Sequence, residues 1–330
     1  MAAIAGKVCR GGVAWPLAAA AAAGLAVVVP EQRRRRPRME AAQWHGGQVP
    51  ITARYTMKST LGKGHSGTVC AAVDRRSGEL CAVKSLPKAK ACAEQVRDEV
   101  AVHQDVSSHP NVVELREVFE DSNAFYMVME LARGGELFEH LIAEGAMGER
   151  QAAALLRQIS EAVAHLHAKG WVHFDIKPEN IMLTGDNRGR LADFGSSFRM
   201  AADGRRRQRP RNKEYTTAYS APEVVSGGEV DEKADVWALG VVAYILLQGS
   251  HPFDPTSEAG EAEIVDNIVR AEPDMGGPGW QGLSADATGL IRRMLSKDPS
   301  KRPSAREVLG SSWLARAEGE EEACCSAAGP

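Results

Sequence analysis

The sequence predicts an α+β fold in two lobes, a small β-rich one followed by a larger helical one. Three observations carry this. Short alternating stretches punctuated by turns dominate residues 55–86, in "YTMKSTLGKGHSGTVCAAVDRRSGELCAVKSL". After "ARGGE" the pattern changes to long helical runs. Finally, "DVWALGVVAYILLQG" (235–249) is too apolar for a surface helix and, at that length and beside Asp235, too short for a membrane span.

Taken in order, the strand-like segment is broken by a Gly-rich turn and by a hairpin turn at "RRSGE". "AEQVRDEVAVHQDV" (93–106) has helical spacing of apolar residues, and "AFYMVMEL" reads as a buried strand. A connector is expected near 131–134. "RQAAALLRQISEAVAHLHAKG" (150–170) is an amphipathic helix with Gly170 as its terminator. The helical lobe runs to about Leu314, and no internal repeat is visible.

Composition sets outer bounds. The 330 residues are 44% hydrophobic, enough to bury a sizeable core. A net charge of -3 gives no reason to expect nucleic acid as a partner. Cys9, Cys70, Cys81, Cys92, Cys324 and Cys325 form no metal-ligand spacing, which fits a reduced, cytoplasmic setting. Residues 1–54 differ from the rest: "GGVAWPLAAAAAAGLAVVVP" (11–30) is alanine-rich and "RRRR" (33–36) follows it. An organelle-targeting presequence, a weak membrane anchor through residues 11–30, and a disordered extension all accommodate this. The last is preferred, because alanine contributes little to insertion and Pro16 interrupts the run. Residues 315–330 are expected to be a solvated tail.

Several polar residues stand in an order that suits phosphoryl transfer. Gly62, Gly64 and Gly67 of "LGKGHSGTV" would let a hairpin backbone close over phosphates and offer them N–H groups. A dinucleotide fingerprint is excluded, since a strand rather than a helix follows Gly67. Lys84 of "CAVK", half-buried in a strand, needs an anion and a carboxylate partner; Glu99 is preferred, with Glu94 and Asp98 as alternatives. In "WVHFDIKPENIM", Asp175 is placed to orient a hydroxyl and Lys177 to neutralise a phosphoryl group. Asn180 and Asp193 of "ADFG" would hold Mg²⁺. Any one of these residues alone is more simply a turn or cap residue; the joint set is not.

With "GKGHSG", "AVK", "HFDIKPEN", "DFG", "APE", "DVWALGVV" and "LIRRMLSKDPSKRPSAREVL" (290–309) together, the chain resembles a eukaryotic protein kinase over residues 55–314. "KPEN" and "YTTAYSAPE" are similar to serine/threonine kinases. "HPNVVEL" and "VMELARGGELFEHL" resemble the calcium/calmodulin-dependent group, especially plant calcium-dependent protein kinases and phosphoenolpyruvate carboxylase kinases. The resemblance implies the two-lobed kinase fold, with an N-lobe over 55–130 and a C-lobe over 134–314. It also implies ATP and Mg²⁺ as cofactors and a protein substrate with a Ser/Thr acceptor.

Residue roles follow from the resemblance. Leu61, Gly62, Lys63, Gly64, His65, Ser66, Gly67 and Thr68 would form the phosphate-covering loop. Val69, Ala82 and Met182 would sandwich the adenine, with Met129 as gatekeeper and the backbone of Glu130 and Ala132 meeting the base. Glu136 would reach the ribose or a basic substrate residue, Glu179 belongs to the same nucleotide-binding set, and Thr217 would brace Asp175 and Lys177. Arg302 would pair with Glu223. No EF-hand loop pattern appears and 16 residues follow Leu314, so calmodulin or direct calcium binding is not expected.

Phe174 departs from the family, where an arginine commonly grips an activation-loop phosphate. That arginine takes no part in bond making, and Lys84, Asp175, Asn180 and Asp193 are all present. An active enzyme not gated by loop phosphorylation is therefore expected, rather than the alternative, a nucleotide-binding pseudokinase scaffold. The run "RRRQRPR" (205–211) reads as solvated or as a candidate receptor for a loop phosphate. His103, one helical turn after Glu99, is expected to be a hydrogen-bonded core histidine.

Overall fold

A computed structural model describes residues 43–46, 49–64, 67–201, 207–208, 213 and 215–316. The small lobe is a six-stranded sheet of order β1-β5-β6-β4-β3-β2. Its strands are β1 (Gln43–Gly46), β2 (Tyr55–Lys63), β3 (Thr68–Asp74), β4 (Leu80–Pro87), β5 (Leu115–Glu120) and β6 (Ala124–Glu130). All pairings are antiparallel except β1 with β5. The turn of α1 (Ile51–Arg54) leads into β2. Helix α2 (Ala93–Val106) turns Val96, Glu99, Val100, Val102, His103 and Val106 inward, the spacing of one buried helical stripe.

Past the connector, β7 (Gly135–Glu136) opens the large lobe, followed by α3 (Leu137–Glu144) and α4 (Glu149–Ala168). Helix α4 ends as the sequence predicts, with Gly170 at φ +79°, a left-handed conformation that carries no Cβ penalty in glycine. Short strands β8 (Trp171–Val172), β9 (Ile181–Leu183), β10 (Gly189–Leu191) and β11 (Phe198–Arg199) flank the catalytic-loop stretch. Strands β7, β9 and β10 form one small sheet, and β8 pairs with β11. Helices α5 (Pro222–Val225), α6 (Lys233–Gln248), α7 (Glu261–Arg270), α8 (Ala285–Met294) and α9 (Ala305–Leu309) complete the described lobe. Helix α6 is buried continuously from Ala234 to Leu247, which explains its lack of a polar face.

The expectation for residues 1–54 requires correction. Residues 1–42, including the alanine-rich and arginine stretches, lie outside the described residues, but Gln43–Gly46 is a strand on the edge of the sheet. Trp44 packs edge-to-face on Phe125, with ring centroids 6.4 Å apart, and joins the cluster containing Val96 and Val100 of α2. His45 stacks on Phe119 at 4.6 Å, and Ile51 is buried with Tyr55 and Phe119. The small lobe thus begins upstream of Tyr55. A truncation starting at Gln48 should lose roughly 2 kcal/mol of stability, the apolar burial of one half-buried indole. A truncation starting at Gln43 should not. Equal melting temperatures for the two would show that β1 adds nothing.

Among the described residues, no helix is long and apolar enough to cross a membrane. The tail beyond Arg316 lies outside the described residues.

Candidate active site

The sheet, α2 and the turn after β10 together aim three charged side chains at one point. Lys84 lies in β4, opposite Val69 of β3 and Met127 of β6, so both neighbouring strands fix its direction. Its Nζ donates to Glu99 Oε1 at 2.8 Å and to Asp193 Oδ1 at 3.1 Å. Glu99 is thus the carboxylate partner, not Glu94 or Asp98. Burial opposes the Lys84 ammonium, but Asp193 and Glu99 beside it hold its pKa above the ordinary lysine value. Burial likewise works against the Asp193 carboxylate. The charge of Lys84 and the Gly195 N–H outweigh it and bring Asp193 to about 2.

Asp193 has φ +60°, uncommon for a residue with a Cβ, and its turn is held by Gly195 N–H donating to Oδ1 at 3.2 Å. Below it, His173 donates through Nε2 to Ala192 O at 3.1 Å and packs edge-on to Phe194. His103 lies 4.7 Å from the same ring and donates through Nε2 to Val113 O at 2.7 Å. This is the hydrogen-bonded core histidine that the sequence suggests. Burial lowers its pKa to about 4. The folded state therefore excludes a proton that the unfolded chain binds near pH 6.5. The contribution is complete above that pH and is lost as pH falls toward 4, by about 2 kcal/mol at pH 5. His103→Leu should flatten the fall in melting temperature between pH 7 and 5; an unchanged slope would assign it to other groups.

The catalytic loop is anchored from beneath by Asp235 at the start of α6. Asp235 Oδ2 accepts from His173 N at 2.9 Å and Oδ1 from Phe174 N at 2.8 Å, while His167 Nε2 donates to Oδ2 at 2.8 Å. These contacts hold Phe174 at φ +71°. Asp235 appears in the sequence only within an apolar motif, and its anchoring role is missed there. Phe174 itself is buried, packed edge-on against Phe198 at 5.1 Å and Tyr215 at 5.9 Å.

Asp175 is surrounded by donors. Oδ1 accepts from Thr216 N at 3.1 Å and Thr216 Oγ1 at 2.8 Å; Oδ2 accepts from Asn180 Nδ2 at 3.0 Å and pairs with Lys177 Nζ at 2.8 Å. Lys177 Nζ also donates to Thr216 Oγ1 at 2.6 Å. The bracing hydroxyl is therefore that of Thr216, and the assignment to Thr217 is corrected. Thr216 is still extended (φ -94°, ψ 111°), so its N–H and Oγ1 both reach Asp175. Thr217 has already entered a 3₁₀ turn and turns outward, where it donates to Glu261 at 3.1 Å.

Between the lobes lies a cleft lined by Val69, Met129, Ala132, Met182, Ala192 and the charged group at Lys84. Leu61 and Ala82 form a small apolar cluster with Val69 on its roof. The Glu130 N–H is taken by Glu114 O at 3.0 Å, leaving other hinge backbone groups for a base. Gly62 pairs with Val69, Lys63 with Thr68, and Gly64 N–H donates to Gly67 O, which closes the hairpin. A Cβ on Gly67 would lie 2.2 Å from Ser85 O, so the turn sits on β4 only because that residue is glycine. His65 and Ser66 lie outside the described residues, as do most of residues 205–211. Glu136 is buried at the start of α3 and is not among the residues lining the cleft. Glu179 does line it; burial raises its pKa to about 7, and its Oε2 has no partner among the described residues.

The donor set suits the expected cofactors. The half-buried carboxylate of Asp193 and an amide oxygen match Mg²⁺, which takes few protein ligands and completes its shell with water and phosphate oxygens. Asn180 spends its nitrogen on Asp175 O and Oδ2, so its oxygen is the atom left for a metal.

Comparison with known families matches residues 55–314 to the protein kinase domain, and the chain belongs to that family. Within it, the relatives it matches include serine/threonine kinases named as calcium-dependent, CDPK-related and calcium/calmodulin-dependent. It is 37% identical over 285 residues to calcium-dependent protein kinase 9 of Oryza sativa subsp. japonica, covering 84% of this chain and 48% of that protein. It is also 37% identical to CDPK-related kinase 8 of Arabidopsis thaliana, covering 79% and 44% of the two chains. The serine/threonine-protein kinase PEPKR2 of Arabidopsis thaliana is 37% identical over 260 residues, 79% of this chain and 53% of that one. The chain thus spans about half the length of these relatives.

Proposed function

We propose that this chain is a Mg-ATP-dependent protein serine/threonine kinase whose catalytic loop is organised without an activation-loop phosphate. The observation that carries the reading is the contact of Lys84 with both Glu99 and Asp193, with Asp175 and Asn180 assembled alongside. ATP would supply the transferred phosphoryl group, and Mg²⁺ held by Asp193 and Asn180 would neutralise charge on the phosphates. Lys84 would position the phosphates. Asp175 would orient the acceptor hydroxyl, which takes over one of the acceptor sites now filled by Thr216. Lys177 would sit beside the transferring group.

Independence from loop phosphorylation rests on magnitudes. A phosphate gripped by an arginine biases a loop by roughly 1–3 kcal/mol. The two ring contacts of Phe174 are each worth about 0.5–1.5 kcal/mol beyond their buried area, a similar total. Apolar packing can therefore replace the absent charge pair. A phosphate on Thr216 would remove the brace on Asp175 and inhibit; one on Thr217 would face Glu261.

The test is transfer from Mg-ATP to a Ser/Thr peptide array, before and after phosphatase treatment, with an unmodified loop confirmed by mass spectrometry. Turnover should be unchanged, and a fall of about tenfold, about 1.4 kcal/mol in barrier, would overturn the phosphate-independent reading. The assay is run with a calcium chelator, with calcium, and again with calcium and calmodulin. No change with calcium alone is expected from a sequence without an EF-hand pattern, and a rise only with calmodulin added would show that this chain binds it.

A further inference from the structure

The activation segment carries a lysine that the kinase motifs leave without a role. Lys213 follows the arginine run, where in sequence it reads as one more solvated cation. In the fold it is only 7% exposed. Its Nζ donates to Gly195 O at 3.0 Å, on the turn that carries Asp193. Burial pushes its pKa below the ordinary lysine value, and the carboxylates of Asp98 and Glu99 on α2 offset part of that shift. The turn that accepts from Lys213 itself lies against α2, since a Cβ on Gly195 would stand 3.5 Å from Glu99 Oε2.

A lysine with a four-carbon stem normally keeps its head in water, and withdrawing it is unfavourable unless something compensates. Compensation is available here. At the Lys84 contact one ammonium faces two carboxylates, those of Glu99 and Asp193, leaving one negative charge over. A second buried cation brings the group to neutrality, and it does so from the activation segment. We propose that Lys213 is a positioning residue: a side chain that ties the activation segment to the Asp193 turn and to α2, as a phosphate–arginine pair would otherwise do. The aromatic cluster at Phe174 fixes the base of the segment, and Lys213 fixes its contact with the nucleotide-side machinery. The inference rests on the kinase reading above and names a part of its regulation.

Two variants of the full chain separate charge from packing: Lys213→Met keeps the stem and removes the cation, and Lys213→Arg keeps the cation. Lys213→Met should lower kcat about tenfold while the peptide KM stays within about twofold, since ordering rather than peptide binding is lost. Amide exchange should quicken both in α2 and from Asp193 to Phe198. Melting temperature should fall in Lys213→Met, because Gly195 O loses its donor and the surplus negative charge its partner, and should recover in Lys213→Arg. Lys213→Arg should recover kcat to within about threefold of wild type. Unchanged kcat and exchange in Lys213→Met would overturn the proposal. So would equal losses in both variants accompanied by a lower melting temperature, which would mark Lys213 as packing alone. If the wild-type chain transfers no phosphate, the kinase reading fails, and the exchange comparison alone decides whether Lys213 makes the tie.

Discussion

Asp175→Ala should lower phosphate transfer by about a thousandfold, while Mg-ATP should still raise the melting temperature of the variant. The separation follows from where Asp175 sits. It is not among the residues lining the cleft, whose walls and charged end are supplied by Val69, Met129, Met182, Lys84 and Asp193. Its four donors show what it does: Thr216, Asn180 and Lys177 converge on its two oxygens and lock the carboxylate in one orientation. A carboxylate so saturated is better suited to orienting an acceptor hydroxyl than to acting as a strong free base. Asp175→Asn should be nearly as inactive, because one of its two positions becomes an NH₂ facing other donors. Transfer assays on both variants, with thermal shifts in Mg-ATP, give the comparison. Activity above about a tenth of wild type in Asp175→Ala would remove Asp175 from the chemistry. Loss of the thermal shift would mean that the loop also shapes the nucleotide site.

Much of this site is legible in the sequence because its members are polar residues at fixed offsets. Lys84, Asp175, Asn180 and Asp193 are individually ambiguous, yet their order and spacing leave little freedom. The choice between Thr216 and Thr217 could not be read the same way. Adjacent hydroxyls are equivalent in sequence, and only the point at which the extended chain enters its 3₁₀ turn decides which faces Asp175. Strand β1 was hidden for another reason. Four residues are too few to show alternation, and their pairing with β5 is a contact between segments about seventy residues apart. Lys213 and Asp235 show the same limit from the side of burial. Each lies in a run whose composition points elsewhere, arginine-rich in one case and apolar in the other. What gives them a role is the element packed against them.

Arg302→Ala should have the largest effect on stability, a loss of about 3–5 kcal/mol, without touching the nucleotide cleft. The guanidinium is fully enclosed, and every one of its N–H groups is matched. Nη1 and Nη2 bind Glu223 bidentately at 2.6 and 2.7 Å. Nε donates to Ser296 O at 2.8 Å, and the remaining protons go to Lys233 O at 3.1 Å and Lys297 O at 3.3 Å. The guanidinium also lies over the Trp237 ring, 5.1 Å from its centroid. One side chain therefore joins the helix carrying Glu223, the start of α6 and the turn before α9. Truncation leaves a carboxylate and three carbonyls in a dry site with no donor, and the cost of those orphans exceeds any net value of the pair itself. Lysine cannot rescue it, since a single ammonium cannot span the fork; Arg302→Lys should lose more than half as much. Thermal melts should fall by about 6–15 °C for alanine. In Glu223→Gln the amide oxygen can still accept from one arm of the fork, so the loss should be smaller than in Arg302→Ala. A shift below about 2 °C in Arg302→Ala would show that water reaches the site and takes over the lost bonds.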